Sequence, residues 1–484
     1  MKTLKKVLCV MLAAILLLGT SAAGASADSV KRVSCTMNGS GDTSRGFCWY
    51  TLENGASDLQ IVKADEFDGT FADAAVYTGT TSLFRTQYSH KAVAADLEPG
   101  TTYVYRVGDA AKNLWSETAS FVTDDADDSF SFITIADVQA SSDENFAHAF
   151  LTAKAALETL PAAEFIANLG DYVNDDTNNE WDWYFSNFAP VNNVLTQVPV
   201  AGNHDGNITN KLNTFVFRNM FCLDESDNAS LEGVYYSFDY GNAHIAVLNT
   251  NDMYPMSQAQ RSWLVNDMTN SDAMWKIVMM HRAVYSAGKN INKPDTMIMR
   301  EVLIPLFDKC DIDLVFSGHD HMYLRTYQAK GDKAITDTTF VTELFNGEET
   351  KFAVDPEGTV YCLPSTAGTK RYNVNEDAIE PIPEIAEVAF STRSEYETGG
   401  GCFCTTEIQG GKLVYKAYVV NDETQEVRLI DTYAISKSAA GETTPTDYDQ
   451  SILSSVVMHL FNLAADFTRM AINYIRLLFQ VIAK

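Results

Sequence analysis

Two different spacings of hydrophobic residues divide the chain into two folded regions. In residues 29–123, short runs of β-branched and aromatic residues are separated by turn residues, as in RGFCWYT at 45–51 and TTYVYRVGD at 101–109. Runs with this spacing are typical of antiparallel strands joined by tight turns. We therefore predict an all-β sandwich for the first region.

The second region follows an acidic run at residues 124–128 and has a longer period. An apolar run at 129–137 precedes a helical pattern at 144–160, and a second apolar run follows at 163–171. Alternation of strand and helix predicts an α/β layered fold with parallel strands. Shorter β-like runs up to residue 436 are expected to extend the sheets. The acidic run is interpreted as a solvated linker.

The two ends of the chain differ from the folded regions. Residues 1–27 contain lysines, an apolar run and a final Ala-Ser-Ala, which predicts a secretory signal peptide, with a membrane anchor as the alternative. Residues 437–450 are polar and predict a linker. Residues 451–484 place polar side chains every three or four positions, which predicts an amphipathic helix.

Charge narrows the expected partners and location. The 484 residues contain 64 Asp and Glu against 35 Lys and Arg, for a net charge of −29. This excess repels polyanions, so nucleic acid is not an expected partner. Residues 451–484 differ, because three basic residues against one acidic residue give them a net charge of +2. We expect this segment to dock, to self-associate or to bind an anionic membrane surface, and the protein to be secreted or held at the cell surface.

The eight cysteines are too sparse for a disulfide scaffold. Cys35 and Cys48 could face each other across neighbouring strands. Cys402 and Cys404 are two positions apart, so they are expected to share one face of a strand and to pack rather than bond.

Polar residues of the types that bind metals follow five separate predicted strands. They are Asp137 with Gln139, Asp171 with Asn174, the turn Gly202-Asn203-His204-Asp205, His281, and Gly318-His319-Asp320-His321. Ligands bind at the carboxyl ends of the strands in an open α/β sheet, so these clusters are expected to converge. Carboxylate, amide and imidazole donors suit Zn, Mn or Fe. Each cluster alone could be a helix cap or a turn, but the coincidence at five strand ends favours a metal site.

These five blocks resemble the calcineurin-like metallophosphoesterase superfamily. With the N-terminal sandwich they resemble its purple acid phosphatase branch, and Leu97-Glu98-Pro99-Gly100 together with Trp49 resembles a fibronectin type III module. The resemblance implies an N-terminal domain of this type at residues 28–125. It also implies an α/β/β/α metallophosphoesterase domain at residues 129–436.

The resemblance also implies a role for each matched residue. Asp171 would bridge two metal ions of Fe, Mn or Zn. The other ligands would be Asp137 and His321 at the first ion, and Asn203, His281 and His319 at the second. His204 would stand near the substrate phosphate as the proton donor, with Asp205 orienting its ring.

The expected function is hydrolysis of small phosphomonoesters by a secreted acid phosphatase-like enzyme. Two ions that share a carboxylate acidify a bridging water, so that hydroxide is available to attack phosphorus without a catalytic serine. Two alternatives stay open. One is a phosphodiesterase or nucleotidase on the same pair of metals, and the other is a catalytically inactive surface-binding protein.

Two positions depart from the pattern of the family. The purple members carry a tyrosine three residues after the bridging aspartate, where this chain has Asn174. The nearby Tyr172 is predicted to face away from the site, so charge-transfer colour is not expected. Gln139 stands where many members of the superfamily have histidine. Gln139 and Asn174 are therefore candidate additional ligands. Arg282 could reach a phosphate, although a salt bridge is the favoured role.

Overall fold

The computed structural model describes residues 29–206, 214–224, 234–251, 256–375, 382–393 and 399–438. The predicted signal peptide at 1–27 and the predicted helix at 451–484 lie outside the described residues, as does nearly all of the linker at 437–450. They therefore stay predictions. Among the helices that are described, none has the length and apolar character needed to cross a membrane.

The N-terminal region is all-β, as predicted. Its strands are β1 (Lys31–Thr36), β2 (Arg45–Thr51), β3 (Asp58–Lys63), β4 (Ala75–Thr78), β5 (Thr80–Phe84), β6 (Gln87–Ala94), β7 (Thr102–Asp109), β8 (Leu114–Trp115) and β9 (Ala119–Val122). One sheet has the order β4-β3-β7-β8, with β9 also paired to β7, and β1-β2-β6-β5 form the other layer. The core between them contains Trp49, which is fully buried and stacks on His90. A buried aromatic residue from an early strand is expected at the centre of a sandwich of this size.

The second region alternates strands and helices. Its elements are β10 (Ser129–Ile135), α1 (Asp143–Thr159), β11 (Phe165–Asn168), α2 (Asn178–Asn192), β12 (Thr196–Pro199), α3 (Thr214–Met220), β13 (Tyr236–Tyr240), β14 (Ala243–Val247), α4 (Gln258–Asn270), β15 (Trp275–Arg282), α5 (Pro294–Lys309) and β16 (Leu314–Gly318). Strands β10, β11 and β12 are parallel, as are β14, β15 and β16. Strands β13 and β14 form a hairpin that turns at Gly241 and Asn242.

Most of the remaining strands extend these sheets, as predicted, and two of them form a separate two-stranded sheet. The remaining strands are β17 (Tyr323–Thr326), β18 (Gln328–Lys330), β19 (Lys333–Ile335), β20 (Phe340–Phe345), β21 (Glu348–Val354), β22 (Val360–Pro364), β23 (Ala386–Phe390), β24 (Gly400–Gln409), β25 (Lys412–Asn421) and β26 (Val427–Ser436), with the short α6 (Ile382–Ile385) before β23. Within the described residues, a seven-stranded sheet has the order β13-β14-β15-β16-β22-β17-β23. A twelve-stranded sheet has the order β20-β21-β26-β25-β24-β10-β11-β12-β1-β2-β6-β5.

The alternation of side-chain directions along the strands explains how two sheets and two layers of helices pack together. On β15, Ile277 and Met279 belong to the core between the two sheets, whereas Val278 and Met280 belong to a second core shared with helices α4 and α5. Successive side chains of a strand point to opposite faces, so an unbroken apolar run serves two layers. Helices α1 and α2 contribute to the core of the twelve-stranded sheet. The predicted α/β/β/α arrangement is confirmed.

The twelve-stranded sheet joins the two regions of the chain. Strand β1 pairs in parallel with β12, with Thr36 opposite Gln197. The acidic run between the regions is therefore only partly solvated. Asp124 is buried, and its carboxylate accepts a hydrogen bond from the Gly241 amide at 2.7 Å. The interpretation of this run as a solvated linker is wrong for Asp124, because the sheet brings it against the β13–β14 turn.

The seven cysteines in the described residues are all buried, and they form no disulfide. Cys48 lies opposite Ser34, and Cys35 lies opposite Phe47. The predicted facing of Cys35 and Cys48 is wrong, because this register differs by one residue and places the two thiols on opposite faces of the sheet. Cys402 and Cys404 lie on one face of β24 in the same core, as predicted.

Candidate metal centre

The residues at the five predicted strand ends meet in one pocket of about 350 Å³. Its walls include Gln139, Asp171, Asn203, His204, His319 and His321. Asp137 and His281 lie beneath them and are fully buried. The convergence follows from the topology, because the carboxyl ends of parallel strands share one edge of each sheet.

The two aspartates are not helix caps. Ser142 caps α1 and Thr177 caps α2, each by accepting an amide hydrogen bond on its side-chain oxygen. Asp137 and Asp171 instead stand in the preceding loops, with φ of 51° and 53°. Left-handed backbone is strained for a residue with a Cβ and occurs often at functional sites.

Glycine allows two loops to approach each other closely at Asp171. A Cβ atom placed on Gly202 would lie only 2.0 Å from the Asp171 amide nitrogen and 2.3 Å from its Oδ1 atom. Any larger residue would push the Asn203 and His204 turn away from Asp171. The glycine before the Asn-His pair is therefore part of the geometry of the site.

Two groups of metal-binding side chains share Asp171. One group is Asp137, Asp171 and His321, the other is Asp171, His281 and His319, and the ligand atoms of each group lie within 4.8 Å of one another. His281 Nε2 lies 3.3 Å from Asp171 Oδ2 and 3.1 Å from Asn203 Oδ1. Asp171 is thus common to both groups of candidate ligands.

Backbone carbonyls orient the two buried histidines. His281 Nδ1 donates to the Leu169 carbonyl at 2.8 Å, and His321 Nδ1 donates to the Lys370 carbonyl. Protonation of Nδ1 leaves the Nε2 lone pair directed at the carboxylates, which is the tautomer a metal ligand needs. His321 Nε2 lies 3.3 Å from Asp137 Oδ1.

The buried carboxylates of this cluster require a positive charge nearby. Although burial opposes ionisation, the neighbouring histidines hold the pKa of Asp171 well below its usual range. Burial also opposes the charge on His281, yet Asp171 raises the pKa of His281 to about 9. Two carboxylates with almost no exposure require such compensation, and bound metal ions supply it more fully than protons do.

Gln139 supports the fit to a metal. Its side chain is 6% exposed, and its Oε1 atom has no hydrogen-bond donor among the described residues. A buried amide oxygen without a donor is costly, and a bound cation would satisfy it. Asn174 is not among the residues that line the pocket, and its Nδ2 donates to Asp175 at 2.8 Å. Its role as an additional ligand stays a prediction.

The structure corrects the role expected of Asp205. Its carboxylate accepts hydrogen bonds from the amides of Asp171, Tyr172 and Gly202 at 2.7 to 2.9 Å. The ring of His204 is held instead by the Asn174 carbonyl, 2.6 Å from Nδ1. Burial and the charge of Asp171 raise the pKa of Asp205 to about 8. Asp205 thus fastens two loops together and does not orient the His204 ring.

Tyr172 faces away from the centre, as predicted. Its ring lies among Trp181, Tyr184 and Phe221, with centroid distances of 5.9, 5.0 and 5.3 Å. It therefore belongs to the core and offers no phenolate to the site. Arg282 lines the pocket and donates to Asn251 at 3.2 Å.

Sequence reasoning did not identify the other walls of the pocket. They are formed by Lys289, Asn290, Lys293, Asp295, Lys370 and Tyr372. Tyr372 stacks on the His321 ring at 4.4 Å between centroids. The local sequence gives only a weak signal for these residues, the spacing of two lysines at 289 and 293 within one loop.

Two family matches cover most of the described chain. Residues 30–123 match the family described as purple acid phosphatase, N-terminal domain, and residues 130–323 match the calcineurin-like phosphoesterases. The chain is a purple acid phosphatase-like protein. The matched ranges contain all the candidate ligands, since His321 lies inside the second.

Relatives of this purple acid phosphatase-like protein are distant. An uncharacterised protein of Mycobacterium tuberculosis is 28% identical over 236 residues, which are 43% of this chain and 44% of the relative. Purple acid phosphatase 18 of Arabidopsis thaliana is 25% identical over 260 residues, 52% of this chain and 56% of the relative. The chain thus spans about half the length of the curated relatives it matches.

A solved structure shares the fold. A purple acid phosphatase from yellow lupin (Lupinus luteus) seeds superposes with a TM-score of 0.69 at 15% identity, over 88% of this chain and 78% of that one. At this identity the likeness concerns the fold alone.

Proposed function

We propose that this purple acid phosphatase-like protein is a metal-dependent phosphoesterase that hydrolyses small phosphomonoesters. The observation that carries the proposal is the sharing of Asp171 by two groups of metal-binding side chains. Two divalent or trivalent ions held this way supply Lewis acidity and an acidified water, which is the chemistry that phosphoryl transfer to water needs.

We assign the ligands as follows. Asp171 would bridge the two ions, which we expect to be Fe, Mn or Zn. Asp137 and His321 would hold one ion, with Gln139 beside it, and Asn203, His281 and His319 would hold the other. The buried Oε1 of Gln139 without a donor supports its place in this set.

We assign proton donation to His204. Its Nδ1 is occupied by the Asn174 carbonyl, so Nε2 is the atom that can carry a transferable proton. The His204 amide also donates to Asp171 Oδ1 at 2.7 Å, which ties the position of the donor to the metal centre. A donor at this wall of the pocket would protonate the leaving alkoxide.

Location and membrane contact are also part of the proposal. The pattern of residues 1–27 supports secretion, and the basic charge of residues 451–484 supports contact with an anionic membrane or with a second copy. Secretion of the full chain from expressing cells, and its sedimentation with anionic vesicles at low salt, test these two points.

The test of the enzymatic proposal is metal analysis joined to hydrolysis. The protein is stripped with a chelator, reloaded separately with Fe, Mn or Zn, and assayed with nitrophenyl phosphate and bis(nitrophenyl) phosphate. We expect about two ions per chain when the site is fully loaded, and faster hydrolysis of the monoester. Preference for the bis-ester would favour the phosphodiesterase or nucleotidase alternative. Loaded protein that hydrolyses neither would favour a binding protein.

A further inference from the structure

Three lysines line one side of the metal pocket. Lys289 and Lys293 belong to the loop between β15 and α5, and Lys370 belongs to the loop after β22. All three are exposed, and none forms a salt bridge with another described residue. Some other exposed lysines of this acidic protein do have carboxylate partners, as Lys112 has Glu53 and Lys154 has Glu158.

The three ammonium groups are close enough to influence one another. Burial lowers the pKa of Lys289 most, and the charge of Lys370 lowers it further. The charge of Asp320 opposes this shift, and Lys293 adds a smaller lowering effect. Like charges gathered in this way destabilise the free protein. A bound anion would reverse that cost.

One of the lysines, Lys289, is joined to the metal centre by two stacked rings. Lys289 Nζ lies 3.7 Å from the centroid of the Tyr372 ring, and Tyr372 stacks on His321. Lys293 is the N-cap residue of α5, and its side chain makes no capping hydrogen bond because an ammonium group has no acceptor atom. The ammonium group therefore takes no part in capping the helix.

We infer that Lys289, Lys293 and Lys370 bind a second anionic group of the substrate, and that the pocket selects esters carrying a second phosphate. This inference rests on the proposed phosphoesterase function. The scissile phosphate would be bound by the two metal ions and by His204. The three lysines are therefore free to bind a second anionic group of the same substrate. A pocket of about 350 Å³ has room for a small bisphosphate. Ammonium groups on flexible stems suit a phosphate that approaches at variable angles.

The experiment compares two sugar phosphates that differ by one phosphate. The metal-loaded full chain, and its K289Q/K293Q/K370Q variant, are assayed with fructose 1,6-bisphosphate and fructose 6-phosphate. We expect the variant to lose about 10- to 30-fold in kcat/KM on the bisphosphate, as three exposed ionic contacts would give. The loss on the monophosphate should be about threefold or less. Arginine at the same three positions should restore most of the selectivity.

A matched control separates local contact from net charge. The K154Q/K330Q/K333Q variant removes the same three charges at lysines outside the pocket, and its ratio between the two substrates should equal that of the unaltered protein. Equal losses on both substrates, or the same change in ratio in the control, would overturn the inference. If the unaltered protein hydrolyses neither these two compounds nor nitrophenyl phosphate, the proposed function fails. Calorimetric binding of the same two compounds then decides the inference, which requires tighter binding of the bisphosphate that the three glutamines abolish.

Discussion

The metal pocket and the cluster around His244 both place histidine between carboxylates, yet they differ in which ring nitrogens are occupied. In the second cluster, His244 Nδ1 bonds Asp239 at 2.7 Å and Nε2 bonds Asp267 at 2.8 Å. In the metal pocket, His281 Nδ1 is held by a backbone carbonyl and Nε2 faces Asp171 at a longer 3.3 Å. Only the latter arrangement leaves a lone pair and a carboxylate oxygen for an ion.

Exposure separates the two regions as well. The Asp239 side chain is 73% exposed, whereas that of Asp171 is 2% exposed. Water therefore solvates much of the charge near His244, whereas the carboxylates of the metal pocket are shielded from water. Cavity volume does not indicate which region binds metal, because the pocket beside His244 is the larger of the two, at about 980 Å³. Tautomer and burial are the better guides to a metal site.

The strongest way to break this comparison is to neutralise one carboxylate in each region. Asp171→Asn should lower phosphomonoesterase kcat by at least about 10⁴-fold, a large part of the acceleration of 10⁶-fold or more that enzymes supply. Metal content should fall with it, because both ions depend on that carboxylate. Asp267→Asn should leave kcat and metal content unchanged. Near-normal turnover in metal-reloaded Asp171→Asn protein would contradict the shared-ligand assignment.

Replacing His204 sharpens the comparison by testing a third histidine that is held by a carbonyl. His204→Asn should lower turnover of an alkyl phosphate by about 10²- to 10⁴-fold, the usual contribution of a proton donor. The loss on nitrophenyl phosphate should be much smaller, because nitrophenolate departs without a proton. His148→Asn, at a partly buried pair with Asp422, is the control. Equal losses on both substrates would indicate phosphate binding instead.

Asp205 tests whether the carboxylate next to His204 acts on the ring or on the backbone. Asp205→Asn should lower the free energy of unfolding by about 2 kcal/mol, because the Nδ2 donor of asparagine would face a buried backbone N–H group where a carboxyl oxygen now accepts. Urea denaturation measures this change. The rate on an alkyl phosphate divided by the rate on nitrophenyl phosphate should equal that of the unaltered protein. His204→Asn, in contrast, should lower this ratio. A shifted ratio with unchanged stability would restore the ring-orienting role.

The smallest expected effect concerns the pH dependence of stability at His244. Burial lowers the pKa of His244, but the two carboxylates raise it more strongly. In the folded protein the pKa is about 9, above its ordinary value of 6.5. The stabilisation from the charged ring is therefore complete below pH 6.5 and is lost as the pH rises through about 9. Near pH 6 the unfolding free energy of the His244→Gln variant should be about 1 kcal/mol lower than that of the unaltered protein. The two should converge at high pH, and a constant difference would contradict the assignment.

The order of strands and helices and the metal-binding side chains followed from the sequence by itself. Apolar runs of strand length ended in Asp, Asn or His, and parallel strands bring their carboxyl ends together whatever the details of packing. Asp137, Asp171, Asn203, His281, His319 and His321 could therefore be placed near one another without coordinates. The opposite facing of Tyr172 followed from alternation along the chain.

Only the tertiary structure decided which distant groups touch. The register that separates Cys35 from Cys48, the pairing of β1 with β12, and the amides held by Asp205 depend on contacts across the fold. The lysines of the pocket come from loops about 80 residues apart, at 289 and 370. Local patterns specify faces and periods, whereas a hydrogen-bond partner or a charge cluster exists only once long-range packing has set the distances.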